Sequence, residues 1–267
     1  MQQKELTCND KRLHYRIEGD GEAIVLVHGF MESSAIWEAF GTELARNFLC
    51  IAPDLPGHGQ SGNLSEVHTM TMMADCLKAI LDHEGIQRCI LVGHSMGGYV
   101  SLDFSAHYTS RVAGLVLFHS SALPDSEEAR RNRERTIEVV RQNHHGFIAQ
   151  FIPSLFAEFN AEPLQTEIET LMNQARAMAP ESIIAAQAGM KERPGYLELL
   201  TTLTCPVLFI GGKHDSRIPA DKLMAQAMLP WHSEVLLLGN AGHMGYLEAP
   251  AQTFQALRYF CERVYDF

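Results

Sequence analysis

The chain is predicted to be an α/β protein: a mostly parallel, twisted sheet with helices on both faces and a helical insertion late in the sequence. Three observations predict this. Continuous apolar runs at 23–27, 49–52, 89–92, 112–118, 207–210 and 235–238 have the length and composition of strands buried on both faces. Helical periodicity occupies intervening or flanking stretches at 70–83, 97–107, 220–228 and 251–265. The segment from Pro124 to about residue 200 shows no strand pattern, and its apolar residues, among them Ile137, Val140, Phe151 and Ile168, suit several short helices. Strands alternating with helices call for a parallel sheet covered on both sides.

Taken in order, the chain opens on a hairpin, 5–8 and 12–17, with a turn at Asn9-Asp10. Gly19-Asp20-Gly21 then breaks the chain before the first buried run, Ala23-Ile24-Val25-Leu26-Val27. The helix at 97–107 follows the run at 89–92 after one sharp turn, with Tyr99, Leu102, Asp103 and Ala106 at helical spacing. The last helix carries a mixed apolar face of Phe254, Leu257, Tyr259 and Val264.

Composition narrows the class of function. A chain of 267 residues, 46% hydrophobic and 20% charged, can bury a sizeable core without disulfides or a structural metal. The formal net charge of −11 opposes attraction to phosphate backbones and to anionic membrane surfaces, so neither nucleic acid nor membrane is an expected partner. Arg130, Arg131, Arg133 and Arg135 are interleaved with Glu127, Glu128, Glu134 and Glu138, the pattern of a solvated helix face. The six cysteines form no Cys-x-x-Cys pair and no zinc spacing. Cys50, Cys89 and Cys205 each flank an apolar run, where a thiol acts as a small hydrophobe. With a polar start from Met1 to Asp10 and no apolar run near membrane-span length, the expected setting is cytoplasmic.

The chemistry-bearing signal is Leu91-Val92-Gly93-His94-Ser95-Met96-Gly97-Gly98-Tyr99. Gly-x-Ser-x-Gly between a buried strand and a helix places the serine on a strained turn, with its hydroxyl clear of the backbone. Side chains at Gly93 and Gly97 would collide with the neighbouring strand and helix. The helix N-terminus offers partial positive charge to a developing oxyanion. A glycine-rich turn with an incidental serine is the plainer alternative, and the flanking strand and helix patterns argue against it.

With these residues the chain resembles the α/β-hydrolases, in their small cap-bearing branch of esterases, enol-lactonases and C–C hydrolases. The resemblance runs from His28-Gly29 to Glu248. It rests on Val27-His28-Gly29-Phe30, on Asp54-Leu55-Pro56-Gly57-His58-Gly59-x-Ser61, on the serine turn, and on a late Gly-x-x-Asp and Gly-His. It implies a core of residues 1–121 and 201–267 carrying a helical cap at 122–200.

A serine hydroxyl needs a base, and thirteen histidines compete for that role. His243 follows the last buried run and so emerges on the same sheet edge as Ser95. His94 sits inside the turn with its ring directed away from Ser95. His28 and His58 lie in glycine-rich loops that they are expected to hold by hydrogen bonds. His119, at another strand end, is the best rival; the order Ser, Asp, His of the resembled fold favours His243. Asp215, after the run 207–210, is the expected acid that orients the base, and Asp54 is expected to be structural. The resemblance also implies an oxyanion hole from the backbone N–H groups of Phe30 and Met96.

Three departures matter. Serine at position 95, rather than aspartate, argues against haloalkane dehalogenase and epoxide hydrolase chemistry. Tyr99 stands where menaquinone-pathway relatives carry a basic residue. Lys191, near the position of a functional lysine in hydroxynitrile lyases, sits in Met190-Lys191-Glu192-Arg193-Pro194, which reads as a solvated polar loop. Phe147, Phe151, Phe156 and Phe159 either form an apolar substrate pocket or pack cap helices on one another.

The expected function is hydrolysis of small to medium carboxylic esters through an acyl-enzyme, with a small-molecule substrate and with no cofactor or metal implied. Lactonase, C–C bond hydrolase and cofactor-free perhydrolase use the same three residues. A slow-turnover ligand receptor signalling to a protein partner is the alternative of another class.

Overall fold

The computed structural model describes residues 1–8 and 11–266, so the predicted turn at Asn9-Asp10 lies outside the described residues. One eight-stranded sheet organises the chain: β1 (Gln2–Cys8), β2 (Lys11–Glu18), β3 (Ala23–Val27), β4 (Leu49–Pro53), β5 (Cys89–His94), β6 (Val112–Phe118), β7 (Val207–Gly212) and β8 (Ser233–Leu238). Their order is β1-β2-β4-β3-β5-β6-β7-β8. β1 pairs with β2, and β2 with β4, antiparallel; every other neighbouring pair is parallel. The apolar runs explain this layout. β3, β5, β6 and β7 are buried at every residue, as strands covered on both faces must be, whereas β1 alternates between exposed and half-buried positions at one edge.

Among the described residues ten α-helices flank or overlie the sheet: α1 (Glu38–Leu44), α2 (Met70–His83), α3 (Met96–His107), α4 (Glu127–Phe151), α5 (Gln165–Arg176), α6 (Pro180–Glu192), α7 (Leu197–Thr202), α8 (Ala220–Ala227), α9 (Gly245–Glu248) and α10 (Pro250–Val264). α2 is capped by Thr69, whose hydroxyl accepts the N–H of Met72 at 3.1 Å. Between β6 and β7 the described residues hold helices and no strand. Where several short helices were expected, the first is long, 25 residues, and kinked at Asn143 (φ −157°, ψ 79°). The Asn143 side chain explains the kink, because its Oδ1 accepts the N–H of Gly146 at 2.9 Å and so caps the second half as a new helix start.

Parallel strands direct their C-terminal ends to one edge. That edge gathers the turns after β3 (Phe30), β4 (Asp54), β5 (Ser95), β6 (His119), β7 (Asp215) and β8 (His243). Beneath it, Trp37 is fully buried and meets Phe118 edge-on at 5.8 Å. Cys50, Cys89 and Cys205 are buried in the core, and burial pushes the Cys89 thiol up to about 12.

Candidate active site

Ser95 sits between β5 and α3 with φ 50° and ψ −113°, a conformation an L-residue adopts only where its surroundings impose it. Two glycines permit it here. A Cβ at Gly93 would lie 2.4 Å from the carbonyl oxygen of Gly97, and one at Gly97 would lie 2.4 Å from that of Val27. The turn is also tied to β6: the Ser95 N–H donates to the Phe118 carbonyl at 2.9 Å, and the Ser120 hydroxyl donates to the Ser95 carbonyl at 2.7 Å. Between Cys89 and Ser105, Ser95 is the one residue that is not buried.

The Ser95 hydroxyl lies 2.8 Å from His243 Nε2. His243 Nδ1 lies 2.9 Å from Asp215 Oδ2 and 3.0 Å from its Oδ1. Asp215 also accepts the backbone N–H groups of Arg217 (2.8 Å) and Ile218 (2.9 Å) on Oδ1, and His119 Nδ1 at 2.8 Å on Oδ2. Burial disfavours a charge on Asp215. The charge of His243 and the hydrogen bonds from His119 and His243 outweigh it and hold the carboxyl far below the usual range. An ionised Asp215 only accepts, so both Nδ1 atoms carry protons, and the His243 ring is held with Nε2 facing the serine hydroxyl. His119, the rival base, is thereby spent on Asp215. Its own Nε2 is buried without a partner, and burial keeps the ring neutral. His119, Asp215 and His243 are the one group among the described residues whose potential metal-ligating atoms cluster, all within 4.8 Å. Both Nδ1 atoms are already committed to the carboxylate, which leaves His119 Nε2 as the one ring nitrogen of the cluster without a partner.

A second buried pair lies behind the serine. His94 Nε2 donates to the His243 carbonyl at 3.0 Å, and its Nδ1 is 2.9 Å from Glu32 Oε2. Glu32 also accepts the N–H of Gly29 (2.6 Å) and the Tyr246 hydroxyl (3.0 Å). Burial alone would neutralise both groups. Each charge stabilises the other, lowering the Glu32 carboxyl and raising His94. The ring of His94 thus faces Glu32 and the main chain of His243, away from the serine hydroxyl. Glu248 secures the other side of the His243 loop, accepting Gly242 and Met244 N–H on Oε1 and Ala157 N–H on Oε2.

This pairing has a pH signature. Glu32, lowered from 4.5, contributes stability that is lost as pH falls through its folded value; His94, raised from 6.5, contributes stability that is lost as pH rises through its own. The gap in stability between the wild type and Glu32→Gln is therefore expected to be fullest between pH 4.5 and 6.5, at about 3 kcal/mol, and to narrow on both sides. Chemical denaturation across pH checks this, and a gap that does not vary with pH would refute it.

The loops on this edge behave as the sequence implied. His28 accepts the Leu55 N–H on Nε2 at 3.0 Å, and its Nδ1 donates to the Gly29 carbonyl at 2.7 Å. His58 Nδ1 donates to the Pro56 carbonyl at 2.9 Å, and burial pushes the ring down to about 3. Asp54 accepts from Ser34 N–H, Gln60 N–H and His14 Nδ1, a structural set of partners. Phe30 follows Gly29 at the end of β3, and a Cβ on Gly29 would come within 3.2 Å of the Ser95 Cβ. Met96 opens α3, where the first-turn N–H has no acceptor inside the helix.

Above the serine lies a cavity of about 450 Å³ lined on one side by Phe30, Ser95 and His243, and on the other by residues of the helical segment. Of the four phenylalanines considered from sequence, Phe151 lines it; Phe147 stacks on Phe151 at 5.1 Å, Phe156 is buried, and Phe159 is exposed against His214. Two sequence readings need correction. Arg133 is not on a solvated face: it turns inward, pairs with Asp125 and lines the cavity. Lys191 is not in a loop but in the last turn of α6, paired with Glu134 at 3.4 Å, and Arg193 beside it is buried. Glu32, Arg193 and the second role of Asp215 toward His119 escaped the sequence reading.

Comparison with known proteins agrees with the fold. A family model described as alpha/beta hydrolase fold matches residues 22–250. The solved structure of a thermophilic esterase from Thermogutta terrifontis (malate bound) superposes with a TM-score of 0.93 at 36% identity, covering 99% of each chain. A 2-hydroxy-6-oxononadienedioate/2-hydroxy-6-oxononatrienedioate hydrolase from Burkholderia vietnamiensis is 28% identical over 89% of this chain and 86% of its own. An uncharacterised protein of Mycobacterium tuberculosis is 37% identical over 111 residues, 42% of this chain and 33% of its own length. The chain thus spans about a third of that curated relative.

Proposed function

The chain belongs to the alpha/beta hydrolase fold family, and from that premise we propose that it hydrolyses small to medium carboxylic esters through an acyl-enzyme formed on Ser95. The observation that carries this reading is the continuous hydrogen-bonded line from the Ser95 hydroxyl through His243 to Asp215, opening onto the cavity. In the proposed mechanism Ser95 Oγ attacks the ester carbonyl while His243 Nε2 takes its proton. Asp215 holds the imidazolium by its Nδ1–H and balances its charge. The N–H groups of Phe30 and Met96 receive the oxyanion. His243 then returns the proton to the leaving alcohol. Water, deprotonated by the same ring, attacks the acyl-enzyme, and the ring returns that proton to Ser95 Oγ as the acid leaves. Fold likeness alone does not choose the substrate, and the same three groups serve lactone and C–C bond cleavage and perhydrolysis.

The test is burst and steady-state hydrolysis of p-nitrophenyl esters from acetate to decanoate. Expected are multiple turnovers with an optimum at short to medium acyl chains, since the cavity of about 450 Å³ is shared by acyl and alcohol groups. One burst without turnover would overturn the esterase reading in favour of a slow receptor. No reaction with esters but turnover of lactones or diketones would replace it with one of the other hydrolytic readings.

A further inference from the structure

The cavity wall has a charge imbalance that a neutral ester does not answer. Arg133, Arg193, Arg217 and Lys222 line it, against Asp125 and Glu32. Glu32 is already matched by His94. Asp125 lies between two guanidiniums: Arg133 Nε pairs with its Oδ2, and Arg193 Nη1 with its Oδ1 at 2.6 Å. One carboxylate facing two buried or half-buried cations leaves a positive charge that nothing in the wall compensates, in a chain whose net charge is −11. Such a charge is costly to desolvate unless a partner arrives with the ligand.

The two arginines around Asp125 are not equivalent. Arg193 is the fixed member: it donates to the Met190 carbonyl at 2.9 Å and the Leu123 carbonyl at 3.3 Å, and lies 3.9 Å over the Tyr99 ring. Arg133, beyond its bonds to Asp125, donates to Gln187 Oε1 at 3.0 Å and is the more exposed of the pair, 19% against 6%. Arg217 lies over the Phe151 ring at 4.8 Å and donates to the Ser154 hydroxyl at 2.8 Å. Among the described residues no carboxylate forms a close ion pair with it: the charge of Asp215 supports it from farther off, with the Asp215 oxygens taken by His119, His243 and main-chain N–H groups. Arg133 and Arg217 therefore bring unanswered charge to the cavity, and planar guanidiniums match a carboxylate well.

We infer that the cavity selects esters that carry a free carboxylate, and that Arg133 and Arg217 hold it. The inference rests on the proposed reading of Ser95 as the ester-cleaving group, which it narrows to a substrate class. The carboxylate can belong to the acyl or the alcohol part. Two pairs of probes separate these sources: p-nitrophenyl hemiglutarate against p-nitrophenyl valerate, and 4-acetoxybenzoate against its methyl ester. At least one pair is expected to favour the anionic member by tenfold or more in kcat/KM. Arg133→Gln and Arg217→Gln are each expected to cut that ratio by about ten- to a hundredfold, chiefly through KM, the range for a hydrogen bond to a charged group. Arg133→Gln leaves Asp125 paired one-to-one with Arg193, so the fold is expected to survive. Arg131→Gln, on the exposed side of α4, is the control and should leave the ratio unchanged.

Turnover of the neutral esters with no anionic preference in either pair would overturn the inference while leaving the esterase reading intact. So would a preference untouched by both arginine variants. If no ester turns over, the esterase reading falls, and calorimetry of glutarate binding to the Ser95→Ala protein decides the anion site. Saturable binding weakened tenfold by Arg217→Gln upholds it; absence of binding removes it.

Discussion

Ser95→Ala is expected to lower kcat for any ester substrate by on the order of 10⁶ while leaving the protein folded. The variant keeps His243, Asp215, the N–H groups of Phe30 and Met96 and the whole cavity wall, but has no atom to form the acyl bond. What survives should be only the acceleration over water that binding and oxyanion stabilisation supply, roughly 10³–10⁴. The fold should tolerate the change because the turn is imposed by its neighbours. Gly93 and Gly97 permit the close approach, and the main-chain bonds to Phe118 and Ser120 persist whatever stands at position 95. The positive φ is a cost alanine bears as serine does, and the lost hydroxyl contact to His243 is a single hydrogen bond at a half-exposed atom. A melting temperature within a few degrees of the wild type is therefore expected beside the lost turnover. Retained ester hydrolysis near the wild-type rate, in a purified and folded variant, would remove Ser95 from the mechanism.

What could be read in the sequence was whatever the local chain determines. A run such as 23–27 is buried at every residue because both faces of a central parallel strand are covered, and its apolar continuity announces that. The turn at Ser95 was legible because strain, glycine and a following helix are all local. Asp215 and His243 were legible because a parallel sheet delivers every strand end to one edge, so a polar residue just past a buried run has a known destination. The missed groups depend on distant partners. Glu32 meets His94 across 62 positions, and His119 meets Asp215 across 96. Arg133 is different, since its signal was present. It lies four residues before Ile137 and seven before Val140, both buried, so helical spacing assigns it to the inward face. Interleaved charge concealed that periodicity. Lys191 and Arg193 were misplaced because the proline that follows them ends a helix rather than marking a loop: α6 runs to Glu192, and the residue before Pro194 is extended.

Asp215→Asn should lower kcat by on the order of 10⁴ with little change in KM. The surroundings of Asp215 dictate why a near-isosteric amide fails. Oδ1 receives the backbone N–H groups of Arg217 and Ile218, which can only donate. The asparagine oxygen must therefore occupy the Oδ1 position, and the NH₂ group takes the place of Oδ2, facing His119 Nδ1 and His243 Nδ1. An N–H cannot oppose an N–H, so His119 must move its proton to Nε2. His243 is left with only the asparagine oxygen at the Oδ1 position, 3.0 Å away, as an acceptor and with an N–H against it at the Oδ2 position, and is drawn to the same tautomer. For His119 this places the proton on a buried atom without a partner. For His243 it places the proton against Ser95 Oγ, where the ring can no longer accept one. The same substitution removes a carboxylate whose pKa is depressed in the folded state. Asp215 contributes stability above its ordinary value of 3.8, and that contribution is lost as pH falls through the folded value. The variant should accordingly be less stable than the wild type at neutral pH, with the difference closing only in strong acid. Steady-state kinetics and denaturation measured on the same preparations separate the two effects. A silent Asp215→Asn beside an inactive Glu32→Gln would remove the role of orienting acid from Asp215 and move it to Glu32.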